Sequence, residues 1–123
     1  MKKKILVVDD DIGVSYTIKH GMKSLEPDYE IITVNSGKKC IEMLENNEVF
    51  DLILLDIMMP EMTGWETYNK IRDIKSDKDL PVIFLTARKD RVAKNAGGFL
   101  AVDYIEKPFK ILDLKQRIDK VLK

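Results

Sequence analysis

The sequence predicts a three-layer α/β domain, a doubly wound, five-stranded parallel sheet with helices on both faces. Three observations predict it. Short apolar runs alternate with longer amphipathic ones along 123 residues, the pattern of a layered α/β fold. The short runs are apolar at consecutive positions, as strands are when both sheet faces are covered. The length suits one core, large enough to fold without disulfides or a structural metal.

The first strand is Ile5 to Val8, entered from a solvated Lys2-Lys3-Lys4 and closed by Asp9-Asp10-Asp11. Val14, Ile18, Met22 and Leu25 then recur at helical spacing. Ile31 to Val34 is the second strand, and Asn35-Ser36 caps a helix marked by Ile41 and Leu44. Leu52 to Leu55 is the third strand; it ends in Asp56 and a methionine-rich turn with Pro60 and Gly64. Thr63 and Glu66 form a capping box for a helix through Tyr68 and Ile71. Val82 to Leu85 and Val102 to Ile105 are the last two strands. Between Arg88 and Leu100 apolar residues are sparse and Gly97-Gly98 interrupts them, so the helix expected there is short or frayed. Ile111, Leu114, Ile118 and Val121 share one face of a final helix.

Composition narrows the function classes. Lys+Arg and Asp+Glu are equal at 21 each, so no nucleic-acid footprint is indicated. The apolar runs are too short to span a bilayer, and no signal peptide follows the lysines, which predicts no membrane insertion. A single cysteine, Cys40, excludes an internal disulfide and fits a reducing cytoplasm.

Parallel strands joined by right-handed crossovers put their C-terminal ends on one sheet edge. Asp9 and Asp10 end the first strand, Asp56 ends the third, Thr86 ends the fourth and Lys107 follows the fifth. Three crowded carboxylates raise one another's pKa and call for a cation. Oxygen donors without His or Cys favour a hard ion, Mg²⁺ above all, with Mn²⁺ as the substitute. Thr86 and Lys107 suit an anion beside that metal. Asp11 is read as a helix cap, His20 as a surface or partly packed residue, and the methionines, Trp65 and Tyr68 as packing residues.

VVDD at Val7 to Asp10, LLDIMMPEMTG at Leu54 to Gly64, LTA at Leu85 to Ala87 and EKPF at Glu106 to Phe109 resemble the receiver domain of two-component response regulators. The resemblance covers the whole chain, residues 1–123, as one receiver domain. It implies the flavodoxin-like strand order 2-1-3-4-5, with Asp56 as phosphoryl acceptor. Asp10 is then a direct Mg²⁺ ligand, Asp9 a partner through metal-bound water, and the Met58 backbone carbonyl a third protein ligand. Thr86, the Ala87 backbone amide and Lys107 would meet the phosphoryl group, with Lys107 fixed by a cis peptide to Pro108. Tyr104 stands where the family's switch aromatic turns inward; the alternative is a half-buried strand residue with its hydroxyl in water.

The implied partners are a sensor histidine kinase or phosphotransfer protein upstream and a protein target downstream, in the cytoplasm. The implied chemistry is self-phosphorylation and autodephosphorylation rather than turnover of an external substrate. The chain departs from the family between Thr86 and Lys107, where the segment is slightly short and Leu100-Ala101-Val102-Asp103 replaces the usual approach to the fifth strand. With no effector module after Lys123, output through protein contacts is expected unless the chain comes from a longer protein.

Other families share parts of this residue set. A haloacid-dehalogenase-like phosphatase also uses aspartyl phosphate, Mg²⁺, a hydroxyl and a lysine, but places its nucleophile on the first strand and its acid pair late. A flavodoxin-like cofactor module would need a hydroxyl-rich phosphate loop where Asp9 to Gly13 is acidic. A phosphorylation-independent, receiver-like binding module has no need of the complete Asp, Thr and Lys set.

Overall fold

The computed structural model describes residues 2–87 and 102–123. Among these, β1 (Lys3–Val8), α1 (Ile12–Leu25), β2 (Tyr29–Val34), α2 (Gly37–Glu45), β3 (Leu52–Asp56), α3 (Gly64–Ile74), β4 (Val82–Ala87), β5 (Asp103–Lys107) and α4 (Ile111–Leu122) follow in chain order. The helix expected between Arg88 and Leu100 lies outside the described residues. All neighbouring strands pair in parallel, and the order is β2-β1-β3-β4-β5.

Strand alternation divides the core into two layers. Leu6, Val8, Ile53, Leu55, Val82 and Phe84 face α2 and α3, where Cys40, Leu44, Tyr68 and Ile71 meet them. Ile5, Val7, Leu52, Leu54, Ile83 and Leu85 face α1 and α4, where Ile18, Met22, Leu114 and Ile118 close the other layer. The central strand β3 is buried at all five positions, whereas edge strand β5 is fully buried only at Ile105. Burying a large aliphatic side chain contributes about 1.5–3 kcal/mol, so the middle of the sheet is its most rigid part.

Helix starts follow the capping signals. Asp11 Oδ1 accepts from the Gly13 and Val14 amides at 2.9 and 3.3 Å, so Asp11 caps α1 as expected. Ser36 Oγ accepts from the Lys39 amide at 3.2 Å. The Thr63 and Glu66 box closes in both directions at 3.0 and 3.2 Å.

Two expectations need correction. The fifth strand begins at Asp103, one residue later than read, and continues through Lys107; Val102 is half exposed and donates its amide to the Val82 carbonyl. A β-branched apolar residue invited the earlier start, but an edge strand tolerates polar residues and Glu106-Lys107 extend it. Not every methionine packs: Met22 and Met59 are buried, while the Met58 side chain is 53% exposed at the functional edge. The left-handed residue of the turn after β3 is Glu61, at φ 66°. Gly64 instead opens α3, and its missing Cβ serves a close approach to the Asp56 and Ile57 backbone.

Candidate functional site

The sheet gathers the predicted acids. Asp9 follows directly on β1, anchored by its amide to the Val34 carbonyl at 3.2 Å, and Asp56 is the last residue of β3 beside it. Asp9 and Asp56 are buried, at 1% and 4% exposure, while Asp10 faces solvent. One carboxylate oxygen from each of Asp9, Asp10 and Asp56 lies within 4.8 Å of the others. Lys107, the last residue of β5, reaches back to this group; its Nζ lies 2.8 Å from Asp9 Oδ2 and 3.3 Å from Asp56 Oδ1. Its placement inside β5 rather than after it follows from the later register of that strand.

One ammonium cannot balance three carboxylates. Burial first, and then the neighbouring Asp9 carboxylate, push the Asp56 carboxyl up to about 7; Lys107 pulls it downward and a hydrogen bond with Asp10 works upward again. Burial also opposes charge on Lys107, yet hydrogen bonds and attraction from Asp9, then Asp56, outweigh it and hold the ammonium above its ordinary pKa. A buried carboxylate with excess negative charge around it and, among the described residues, carboxylate oxygens grouped beside it fits a small divalent cation. Asp9 is already committed, since Oδ1 accepts from the Asp11 amide at 2.9 Å and Oδ2 from Lys107. Asp10 and Asp56 have more oxygens free for a metal.

The remaining predicted residues surround the cluster without all joining it. Thr86 is fully buried near the end of β4, and its hydroxyl donates to the Ala87 carbonyl at 2.9 Å instead of to the acids. Ala87 pairs with Lys107 in the sheet register. The Lys107–Pro108 peptide is cis, as expected. Met58 lies two residues beyond Asp56. Tyr104 is half-buried, and its ring stacks on Phe84 at 5.5 Å and 20° with the hydroxyl oxygen shielded from solvent. Phe84 also meets Trp65 at 4.7 Å and Tyr68 at 5.4 Å, so both α3 aromatics pack, as the sequence indicated. That aromatic continuity from β5 to α3 was not read from the sequence, where its four members are dispersed. His20 is exposed, and its ring meets that of Tyr16 at 4.1 Å in a tilted arrangement. Among the described residues no helix is long and apolar enough to cross a membrane.

Comparison with known proteins finds similar sequences and folds. The family model described as "Response regulator receiver domain" matches residues 5–119. The transcriptional regulatory protein CrdR of Helicobacter pylori is 38% identical over 98% of this chain and 55% of its own length. The chain spans about half the length, or less, of the curated relatives it matches. Among solved structures, chemotaxis protein CheY4 of Vibrio cholerae superposes with a TM-score of 0.85 at 28% identity, over 98% of this chain and 99% of that one. Response regulator protein TrrA of Thermotoga maritima, solved in complex with Mg²⁺-BeF, gives a TM-score of 0.82 at 32% identity, over 97% and 98%.

Proposed function

Because the chain belongs to the response regulator receiver domain family of two-component systems, we propose that residues 1–123 act as one receiver whose phosphoryl acceptor is Asp56. One observation carries the reading: Asp9, Asp10 and Asp56 converge within 4.8 Å, with Lys107 bridging Asp9 and Asp56.

An Asp56 carboxylate oxygen attacks the phosphorus of a phosphohistidine on a sensor histidine kinase or phosphotransfer protein, or of a small acyl phosphate. An O–P bond forms as the P–N or P–O bond to the donor breaks, and the leaving group takes the electron pair. Asp56 reacts in its ionised form, and Lys107 favours that form against burial. Mg²⁺ held by Asp10, Asp56 and the Met58 carbonyl, with Asp9 a partner through a bound water, or Mn²⁺ in its place, would supply neutralising charge to the phosphoryl oxygens. Lys107, already beside Asp56, pairs with one phosphoryl oxygen. The Thr86 hydroxyl turns from the Ala87 carbonyl to another, and the Ala87 amide donates to the same group.

The consequence is conformational. Thr86 and Tyr104 lie on adjacent paired strands, so a shift of Thr86 changes the space beside Tyr104 and biases its ring through differential contact. The output is then a changed surface for a downstream protein, in the cytoplasm, with no direct part for nucleic acid. The chain undergoes self-phosphorylation and autodephosphorylation without turning over an external substrate.

Mass spectrometry after incubation with acetyl phosphate and Mg²⁺ tests the reading. One phosphoryl group on Asp56 is expected, not formed when EDTA is present from the start and absent from Asp56→Asn. Full labelling of that variant would remove the assignment, and multiple turnover of an external phosphomonoester would favour the phosphatase chemistry.

A further inference from the structure

The sheet ends on one side at β2, which pairs with β1 and, among the described residues, carries no strand on its outer edge. The Lys3 amide donates to the Asp28 carbonyl at 3.0 Å and the Asp9 amide to the Val34 carbonyl at 3.2 Å. Strand alternation therefore turns the backbone groups of Glu30 and Ile32 toward β1 and those of Ile31 and Thr33 outward. Outward groups of this kind are a ready template for one more strand.

Beside the start of this edge lies a cavity of about 310 Å³, floored by Pro27, Tyr29 and Ile31, with Lys2, Lys19 and Lys23 around it. Among the described residues none of these three lysines has an ion-pair partner, whereas Glu26, next to Pro27 in the chain, is engaged by Lys115 and Lys123. Glu30 is the one acid among the lining residues, and it pairs with none of them. Lys19 and Lys23 are exposed and stand four residues apart on one face of α1, where like charges repel. The excess is local, since Lys+Arg and Asp+Glu balance at 21 each over the chain. Lysines along an edge discourage pairing with a second copy of the same chain, and they leave that edge open to a strand of opposite charge.

We propose that β2 and this cavity bind an extended acidic peptide segment of a partner protein, added to the sheet outside β2. The segment's backbone exchanges hydrogen bonds with Ile31 and Thr33, its carboxylates pair with Lys19, Lys23 and Lys2, and its apolar side chains cover Pro27 and Ile31. Backbone pairing alone accepts any strand, and the lysines make the choice among strands. A small anion would leave the apolar floor and the strand edge unused, and an apolar peptide would leave the lysines unpaired. The site lies at the N-terminal ends of β1 and β2, whereas Asp9 and Asp56 stand at the C-terminal ends of β1 and β3. It needs neither metal nor phosphorylation of Asp56, so it stands or falls independently of that reading.

The test is an amide chemical-shift titration of the full chain with a blocked hexapeptide that alternates glutamate and valine. Saturable shifts are expected from Tyr29 to Thr33 and at Lys19 and Lys23, with affinity falling as salt is raised. The double variant Lys19→Glu, Lys23→Glu weakens binding at least tenfold, because two attractions become repulsions. The same variant binds the matching peptide of lysine and valine more tightly than wild type does, a gain that an unfolded chain could not show. Two further probes carry N-methyl groups on alternate residues, one in each register. The register whose amides face β2 binds at least tenfold more weakly, and the other binds as the parent peptide does. Shifts confined to the acidic cluster, affinity indifferent to the charge reversal, or equal affinity of the two methylated probes would overturn strand addition at this edge. An oligothymidylate that competes for the same residues with equal affinity would overturn the choice of a peptide.

Discussion

Gly64→Ala measures how tightly the β3-to-α3 connection holds Asp56, the proposed acceptor. A Cβ at this position would press on the Asp56 carbonyl oxygen and lie 2.6 Å from the Ile57 Cα and 3.0 Å from the Asp56 carbonyl carbon. These are backbone atoms at the end of a buried strand, so no rotamer change relieves them. The same contact carries the Gly64 amide to the Ile57 carbonyl at 2.8 Å. Restoring an ordinary 3.4 Å separation from Ile57 requires about 0.8 Å of movement. Overpacking of this kind costs about 1–3 kcal/mol, and the better helix propensity of alanine returns at most about 1 kcal/mol. The expected net loss is about 1–2 kcal/mol, or roughly 3–10 °C in Tm for a domain of this size. Displacement of the acceptor by close to an ångström should slow its phosphorylation by on the order of ten- to a hundredfold. Urea unfolding and the rate of labelling by acetyl phosphate read the two effects. Gly13→Ala is the control: its Cβ would meet only the capping Asp11 carboxylate, at 3.2 Å, and should stay within about 1 kcal/mol of wild type. A Gly64→Ala protein as stable as wild type and labelled at the wild-type rate would refute this account of the turn.

Three further outcomes follow from the site and its surroundings. Asp10→Ala should weaken Mg²⁺ binding at least tenfold by calorimetry, and unchanged affinity would exclude Asp10 as a ligand. Lys107→Ala should bind Mg²⁺ no less tightly, since a competing cation is removed from Asp9 and Asp56, but should lose the structural response to phosphorylation seen by hydrogen exchange; a normal response would defeat the role given to Lys107. Far from the site, the Tyr29 hydroxyl donates to Asp119 Oδ1 at 2.5 Å, and Asp119 also accepts from Lys115 at 2.7 Å. Burial works upward on Asp119, but these hydrogen bonds outweigh it and lower its carboxyl pKa. A carboxylate lowered in the folded state stabilises above its unfolded pKa and loses that contribution as pH falls through the folded one. Tyr29→Phe should therefore cost about 1.5–3 kcal/mol at pH 7, with a smaller difference from wild type near pH 3; a difference constant with pH would contradict the pairing.

How much was legible depended on whether the signal was local or distributed. Thr63 and Glu66 announced α3 because both partners of the cap lie within one turn. The order of the strands could not come from periodicity, which fixes what is a strand but not its neighbour; it followed from motif resemblance and is the order observed. Asp9, Asp56 and Lys107 were legible because parallel topology sends every strand end to one edge. Side-chain engagement was not legible. Nothing in Leu85-Thr86-Ala87 reveals that the Thr86 hydroxyl turns toward the Ala87 carbonyl, or that Gly64 is present for lack of space rather than for a left-handed backbone.

The distribution of rigidity across the sheet makes sense of where each charge sits. Asp56 stands on β3, buried at all five positions and paired on both sides, so its position is fixed by the densest part of the core. Lys107 stands on β5, the edge strand, with most of its positions only partly buried. Under the proposed function, the acceptor Asp56 must be held still to be attacked in line, whereas Lys107, which would exchange a carboxylate for a phosphoryl oxygen, must be able to move. Along β5, Ile105 belongs to the layer facing α1 and α4, and Tyr104 packs on the layer facing α2 and α3. Alternation on one short strand thus ties an ammonium at the acidic cluster to an aromatic ring on the opposite layer. A shift of β5 that follows Lys107 slides Tyr104 against Phe84, and Phe84 rests on Trp65 and Tyr68 of α3. Close-packed aromatics transmit such a shift rather than absorb it, so, under the proposed function, a change of charge at Asp56 would reach α3 through the contacts of Tyr104, Phe84, Trp65 and Tyr68.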